Sequence, residues 1–241
     1  ALEGLSAQVE LKGGVVRIDA SNLRGGSLFL GGRHGSSVTG TANAIMAASL
    51  ASGITTIEGS ACEPEIVDLC EMLLKMGAKI TGIGSHLLSI EGVDRLHGCR
   101  HHVIPDRIET ATYAIAAGIT NGEILIKGCQ TEHLGAFANV MQECGIELSN
   151  QSKSNLLIKV SPKGLNPFEV ITLPYPGFPT DLQAQMTALA CIAPGLSILT
   201  ERVYPSRFMH VPELLRMGAE ISLEGPSAVV QGGKMLTGAP V

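Results

Sequence analysis

Three short stretches combine residue types that could do chemistry. In FPTDLQAQ a threonine and an aspartate stand at the head of an apolar, helix-like run. Thr180 and Gln183 have the T-x-x-Q spacing of a capping box, in which the hydroxyl caps an amide and the glutamine reaches back. The spacing predicts Thr180 as N-cap and leaves Asp181, in the first helical position, free to project. Asp181 then either complements the positive end of the helix dipole or is a carboxylate aimed at a substrate. In IPDRIET, Asp106 and Glu109 form a D-x-x-E box with Asp106 as the cap. Arg107 falls at the positive end of that dipole, where a cation is disfavoured and calls for an anionic partner. A substrate phosphate or a neighbouring carboxylate would serve. In GSSVT, residues Gly35, Ser36, Ser37, Val38 and Thr39 precede another helical run. Small residues there admit an anion to backbone N–H groups, although such loops are also ordinary turns. Glu63, ahead of Pro64, reads as a first-turn carboxylate, more structural than functional.

The elements that position these residues follow from an internal repeat. TANAIMAASLASGITTIEGS followed by PEIVDLCEMLLKMGAKI has counterparts in IETATYAIAAGITNGEILIKGC with TEHLGAFANVMQECGIEL, and in LQAQMTALACIAPGLSILTER with RFMHVPELLRMGAEI. One set of glycines, Gly53, Gly122 and Gly195, is read as the stop of the first helix. A second set, Gly77, Gly145 and Gly218, closes the second helix. Apolar residues on nearly every face predict a first helix buried all round. The next strand alternates with period two, and the second helix shows an amphipathic stripe at Ile66, Leu69, Leu73 and Met76. Each unit should thus read β-α-β-α-β-β, an α/β fold. His101, His102 and Pro105 interrupt the pattern, which puts residues 1–103 in one lobe and residues 104–241 in another. The opening LEGLSAQVELKGGVVRIDA matches the close of a unit, so the chain is expected to be a piece of something longer.

Composition narrows the classes. The 241 residues are 45% hydrophobic and 16% charged, with no Trp, three Tyr and five Phe, so the core must rest on aliphatic side chains. A net charge of −5 argues against a nucleic-acid binder. No apolar run reaches the ~18–20 residues of a membrane span, and no signal peptide is visible, so a cytoplasmic location is expected. The six cysteines show no CxxC and no zinc-ligand spacing. Cys70, Cys144 and Cys191 lie within apolar helical patterns and should behave as small hydrophobes.

SSVTGTANAIMAASLASG, EPEIVDLCEMLLKMGAKI, IPDRIETATYAIAAGITNG, FPTDLQAQMTALA and RFMHVPELLRMGAEI together resemble the enolpyruvyl transferases. They resemble most the branch that acts on UDP-N-acetylglucosamine. The resemblance implies inside-out α/β barrel lobes built from repeated βαβαββ units. It also implies transfer of enolpyruvyl from phosphoenolpyruvate to the 3-hydroxyl of UDP-N-acetylglucosamine with release of phosphate, without metal or organic cofactor, an early step of peptidoglycan precursor synthesis. Residue by residue, it makes Asp181 the general base, beside Thr180, and sets Gly35 through Val38 along the nucleotide with Thr39 adjacent. It places Arg107 and Glu63 at the cleft, gives Val203 a backbone contact to the acceptor, and turns Arg207 toward phosphoenolpyruvate. It expects the family's Lys-Asn pair and mobile loop ahead of residue 1, and further acidic and arginine residues beyond residue 241. The alternative is a non-catalytic relative that keeps the fold and at most binds the nucleotide sugar. A repeat scaffold without ligand would leave the FPTDLQAQ signature unexplained.

Overall fold

The computed structural model describes residues 2–240. The chain divides between Ile104 and Pro105 into two units. In the first, a 3-10 turn at Leu2–Leu5 leads into the antiparallel hairpin of β1 (Gln8–Lys12) and β2 (Val15–Asp19). There follow β3 (Ser27–Phe29), the two-residue strands β4 (Gly31–Gly32) and β5 (Gly35–Ser36), and α1 (Val38–Ala48). Next come β6 (Ile54–Glu58), α2 (Pro64–Lys75), β7 (Lys79–Thr81) and β8 (Leu87–Glu91). The main sheet has the order β3-β6-β8-β7, with β3 parallel to β6 and the other pairs antiparallel.

The second unit begins with α3 (Arg107–Ile119), β9 (Glu123–Lys127), α4 (Gly135–Glu143), β10 (Ile146–Ser152) and β11 (Asn155–Val160). It continues with β12 (Glu169–Ile171), α5 (Gln183–Ile192), β13 (Gly195–Thr200), α6 (Val211–Arg216), β14 (Glu220–Glu224) and β15 (Ser227–Gly232). The last sheet, β12-β13-β15-β14, repeats the topology of the first, again with its leading pair parallel.

The β-α-β-α-β-β unit is therefore whole in the first and last copies. The middle copy is a three-stranded sheet, β10-β11-β9, and no strand among the described residues leads into α3. Pro105 in that approach lacks the N–H a ladder needs. The expectation of a first helix buried all round holds only for α5, which has no exposed residue. It packs on α3, β13 and β15. In α1 the stripe Thr39, Asn43 and Met46 is exposed, and in α3 so are Glu109, Tyr113 and Ala116. Small apolar residues permit burial, but only neighbours supply it.

The second glycine set behaves as expected: Gly77, Gly145 and Gly218 all have positive φ just past a helix. The first set does not stop its helices. α1 ends at Ala48 with cap Ser49 and α5 at Ile192 with cap Ala193, so Gly53 and Gly195 lie further on, toward the strands. In the middle copy Asn121, at φ 50°, takes the left-handed position in place of Gly122. Asparagine tolerates that region better than other residues with a Cβ.

Each unit has its own aliphatic core. Ala44, Ile45 and Ala48 of α1 meet Ile66, Cys70 and Leu73 of α2 over Ile57, Leu88 and Ile90 of the sheet. In the second unit Ile115, Met141, Ile158, Met186, Leu189 and Leu199 are buried together. Each such side chain contributes about 1.5–3 kcal/mol relative to exposure. The cysteines expected in the core are there: burial pushes the Cys70 and Cys191 thiols up to about 11 and Cys144 to about 12. Asp68 is also buried, and His101 Nε2 meets it at 2.9 Å, which ties the exit of the first unit to α2.

Candidate functional site

Parallel strands send their C-terminal ends out on the same side, and loops there are the usual ligand-bearing positions of α/β sheets. In the second unit β12 pairs in parallel with β13 through Ile171 and Thr200. The residues just beyond, Thr172 and Glu201, therefore emerge side by side. The chain after β12 makes a closed turn: Gly177 N donates to Pro174 O, and Leu173 N to Phe178 O, around a cis Tyr175–Pro176 bond. That return sets Thr180 and Asp181 back over the strand ends.

Thr180, Asp181 and Leu182 form a 3-10 turn, and α5 starts only at Gln183. The capping box read from the sequence does not form. No side chain caps α5, and Gln183 uses its backbone N–H on Thr180 O. The Gln183 side chain is fully buried, and neither its Oε1 nor its Nε2 has a partner. The Thr180 hydroxyl is engaged elsewhere, donating to Glu201 Oε2 at 2.8 Å.

Glu201 is the residue that sequence reasoning missed. It is wholly buried, and its Oε1 accepts from Thr172 Oγ1 at 2.6 Å, Val203 N at 2.8 Å and Tyr204 N at 2.9 Å. A buried carboxylate is tolerable only when donors surround it in this way. A signal was available in LTER, where a carboxylate directly follows the apolar alternating strand that ends at Thr200. The Glu201 contacts fold the 201–208 segment back, and Arg207 N closes it on Tyr204 O. Arg207 Nη1 then donates to Asp181 Oδ1 at 2.9 Å and to Thr180 Oγ1 at 3.2 Å. Both partners of the ion pair keep substantial exposure, 39% for the Arg207 side chain and 54% for Asp181. Thr180, Asp181, Val203 and Arg207 are thus brought together as one cluster. The Val203 N–H is already held by Glu201.

Arg107 stands at the first position of α3, with Asp106 Oδ1 accepting from Ile108 N at 2.7 Å and Glu109 N at 3.1 Å, as the D-x-x-E spacing predicts. The Arg107 guanidinium lies over the Tyr175 ring, 5.6 Å from its centroid, a cation–π contact. Beside it is a recess of about 120 Å³, lined also by His133, Leu134 and Pro179. Its lining includes Pro179 and Leu182, which flank Thr180 and Asp181 in the chain, but neither Asp181 nor Arg207.

In the first unit the equivalent strand ends carry the other residues. Gly35 and Ser36 are the second strand of the small β4–β5 ribbon. Ser37 is the N-cap of α1, its Oγ accepting from Gly40 N at 3.1 Å, so Val38 and Thr39 are the first helical residues. After β6, Ala61 N donates to the buried Thr41 Oγ1 at 3.0 Å, which holds that loop to α1. Glu63 corrects the reading of a first-turn carboxylate: it occupies the N-cap position of α2 without capping through its side chain. It is 7% exposed, and its Oε2 is buried without a partner. Among the described residues no group of three or more His, Cys, Asp or Glu is placed to hold a metal ion. No helix among them is long and apolar enough to cross a membrane.

Comparison with known proteins adds to this geometry. The chain is 46% identical over its whole length to the UDP-N-acetylglucosamine 1-carboxyvinyltransferase of Methylacidiphilum infernorum (isolate V4), of which it covers 56%. It is 50% identical to that of Granulibacter bethesdensis (strain ATCC BAA-1260 / CGDNIH1), again covering 56% of that protein. The chain therefore spans little more than half the length of the curated relatives it matches. Among solved structures, the enolpyruvyl transferase NikO from Streptomyces tendae superposes with a TM-score of 0.85, over 96% of this chain and 57% of that one. At 21% identity this likeness shows the fold alone. The family model described as EPSP synthase (3-phosphoshikimate 1-carboxyvinyltransferase) matches residues 1–241, and the chain belongs to that family, the enolpyruvyl or carboxyvinyl transferases.

Proposed function

We propose that the chain carries part of the machinery that moves enolpyruvyl from phosphoenolpyruvate to the 3-hydroxyl of UDP-N-acetylglucosamine. The observation that carries this reading is the cluster of Asp181, Arg207 and Thr180 at the ends of a parallel strand pair. It is supported by relatives of 46–50% identity that bear the name of that activity.

Asp181 takes the proton of the sugar hydroxyl while its oxygen bonds to the central carbon of phosphoenolpyruvate, and the methylene carbon gains a proton. Loss of a proton from that carbon and cleavage of the carbon–oxygen bond to phosphate then release phosphate and leave the enol ether. General-base action of this kind supplies about 10²–10⁴-fold. Arg207, which holds Asp181 Oδ1 in the free chain, presents a planar fork suited to the carboxylate or phosphate of phosphoenolpyruvate. Moving toward that anion would release Asp181 to the hydroxyl. A backbone contact from Val203 falls to its carbonyl, because its N–H is held by Glu201.

Gly35, Ser36, Ser37, Val38 and Thr39 supply a helix N-terminus for the nucleotide phosphates. In the second unit Arg107 offers a positive charge to an anionic ligand group, and in the first the unpartnered Glu63 Oε2 can accept from a ligand hydroxyl. The product would feed peptidoglycan precursor synthesis, and nucleotide-sugar substrates place the reaction in the cytoplasm. No cofactor is assigned, and nucleic acid and membrane are not expected partners.

Calorimetric titration of the chain with UDP-N-acetylglucosamine, beside a phosphate-release assay of the complete gene product, tests the reading. Saturable binding is expected, together with phosphate release that requires both substrates. No heat at millimolar ligand would remove the nucleotide-sugar site. Binding without release in the complete product would favour a non-catalytic relative.

A further inference from the structure

The Glu201 carboxylate has more partners than a loop anchor needs, and their directions are informative. Its Oε1 takes three donors, two of them backbone amides of its own loop. Its Oε2 takes one, the Thr180 hydroxyl. A carboxylate can only accept, so the Thr180 proton must point at Glu201. The lone pairs of Thr180 Oγ1 are then left facing outward, and Arg207 Nη1 donates to them at 3.2 Å. The same Nη1 reaches Asp181 Oδ1. The chain of polar contacts runs one way: Arg207 donates to Thr180, Thr180 donates to Glu201, and the buried negative charge terminates it.

We infer that Glu201 is a positioning residue of the candidate site: by orienting the Thr180 hydroxyl, it holds Arg207 against Asp181. This rests on the reading of Asp181 and Arg207 as substrate-facing groups. Nothing in Glu201 need touch substrate, since it is completely buried. The three elements it joins are the end of β12 at Thr172, the 3-10 turn at Thr180 and the segment after β13. The acidic partner of the arginine is exposed, so solvent alone would let the guanidinium wander. The Thr180 oxygen gives Arg207 a second, directed contact, and that contact has the correct polarity only while Glu201 is an acceptor.

Two substitutions separate this role from simple loop anchoring. Glu201→Gln retains an oxygen for Thr172 and the two amides but turns an NH₂ toward Thr180, which reverses the polarity at one bond. Thr180→Val removes the hydroxyl and keeps the shape, whereas Thr180→Ser keeps the hydroxyl. In the complete gene product, Glu201→Gln and Thr180→Val should each lower kcat by about 10- to 100-fold, the range for losing a hydrogen bond to a charged group. KM for UDP-N-acetylglucosamine should stay within about threefold, and Thr180→Ser should restore kcat to within about threefold of the parent. In parallel, nitrogen-15 NMR of the Arg207 guanidinium should show faster side-chain rotation in Glu201→Gln and Thr180→Val but not in Thr180→Ser.

The NMR arm does not depend on the assigned reaction. If the parent releases no phosphate but Arg207 is loosened as expected, the functional reading fails and the positioning role stands. If Arg207 motion is unchanged in both variants, the positioning role is overturned whatever the activity. Should Glu201→Gln fail to fold, the Thr180→Val and Thr180→Ser pair decides alone, because neither disturbs the contacts of Oε1.

Discussion

The Asp181–Arg207 pair should matter for chemistry far more than for stability, and a double-mutant cycle can separate the two. The perturbations are Asp181→Ala, Arg207→Met and both together. The atoms are 2.9 Å apart, but the side chains keep 54% and 39% of their exposure. In a water-like dielectric, unit charges at that distance attract by about 1.4 kcal/mol. Ordering two side chains and screening by salt reduce this, so the measured coupling should be about 0.5–1 kcal/mol. Urea unfolding of the four proteins gives the stabilities, and the cycle isolates the pair term. In 1 M salt, where the Debye length shrinks to about 3 Å, the coupling should fall further. In the complete gene product, Asp181→Ala should lower phosphate release by about 10²–10⁴-fold. A coupling above about 3 kcal/mol, insensitive to salt, would mean a structural pair of the buried kind. Together with unchanged phosphate release, it would refute the reasoning that places Asp181 at the chemistry.

Other outcomes follow from backbone geometry and burial elsewhere in the chain. Gly59 has φ 66°, and a Cβ on it would sit 2.6 Å from Gly31 N, so Gly59→Ala should cost about 1–3 kcal/mol in thermal unfolding. His210 has its pKa lowered below 6.5, first by burial and then by Arg207. The unfolded chain therefore takes up this proton before the folded one, and stability should drop as pH falls through 6.5. His210→Asn should flatten that part of the pH–stability curve. A thiol reagent on the native chain should label exposed Cys99 first, then half-buried Cys62. Cys70, Cys144 and Cys191, with thiols pushed to about 11 or 12, should react only on unfolding.

Features that depend on a few neighbouring residues were legible in the chain itself. The Asp106 cap is an interaction over two and three positions, and glycines at 77, 145 and 218 answer to local φ. The repeat was visible because three copies must bury equivalent faces, and aliphatic periodicity records that need. Misreadings occurred where a local rule competed with a distant partner. Thr180 and Gln183 satisfy the capping-box spacing, yet Glu201, 21 residues on, takes the hydroxyl and a 3-10 turn intervenes. The exposure of α1 and α3 on one face escaped for a similar reason, since small apolar residues do not reveal whether a neighbour is present.

The sequence by itself determined the unit, its order of helices and strands, and which residue types could do chemistry. Only the tertiary structure decided their partners. Parallel register between β12 and β13 puts Thr172 beside Glu201, 29 residues apart, and the closed turn returns Thr180 and Asp181 to the same strand ends. Arg107 over Tyr175 and Arg207 against Asp181 are likewise meetings of loops from separate elements. The physical reason is that a charged side chain's partner is set by which strand ends adjoin, and sheet register is a non-local choice that no short spacing encodes.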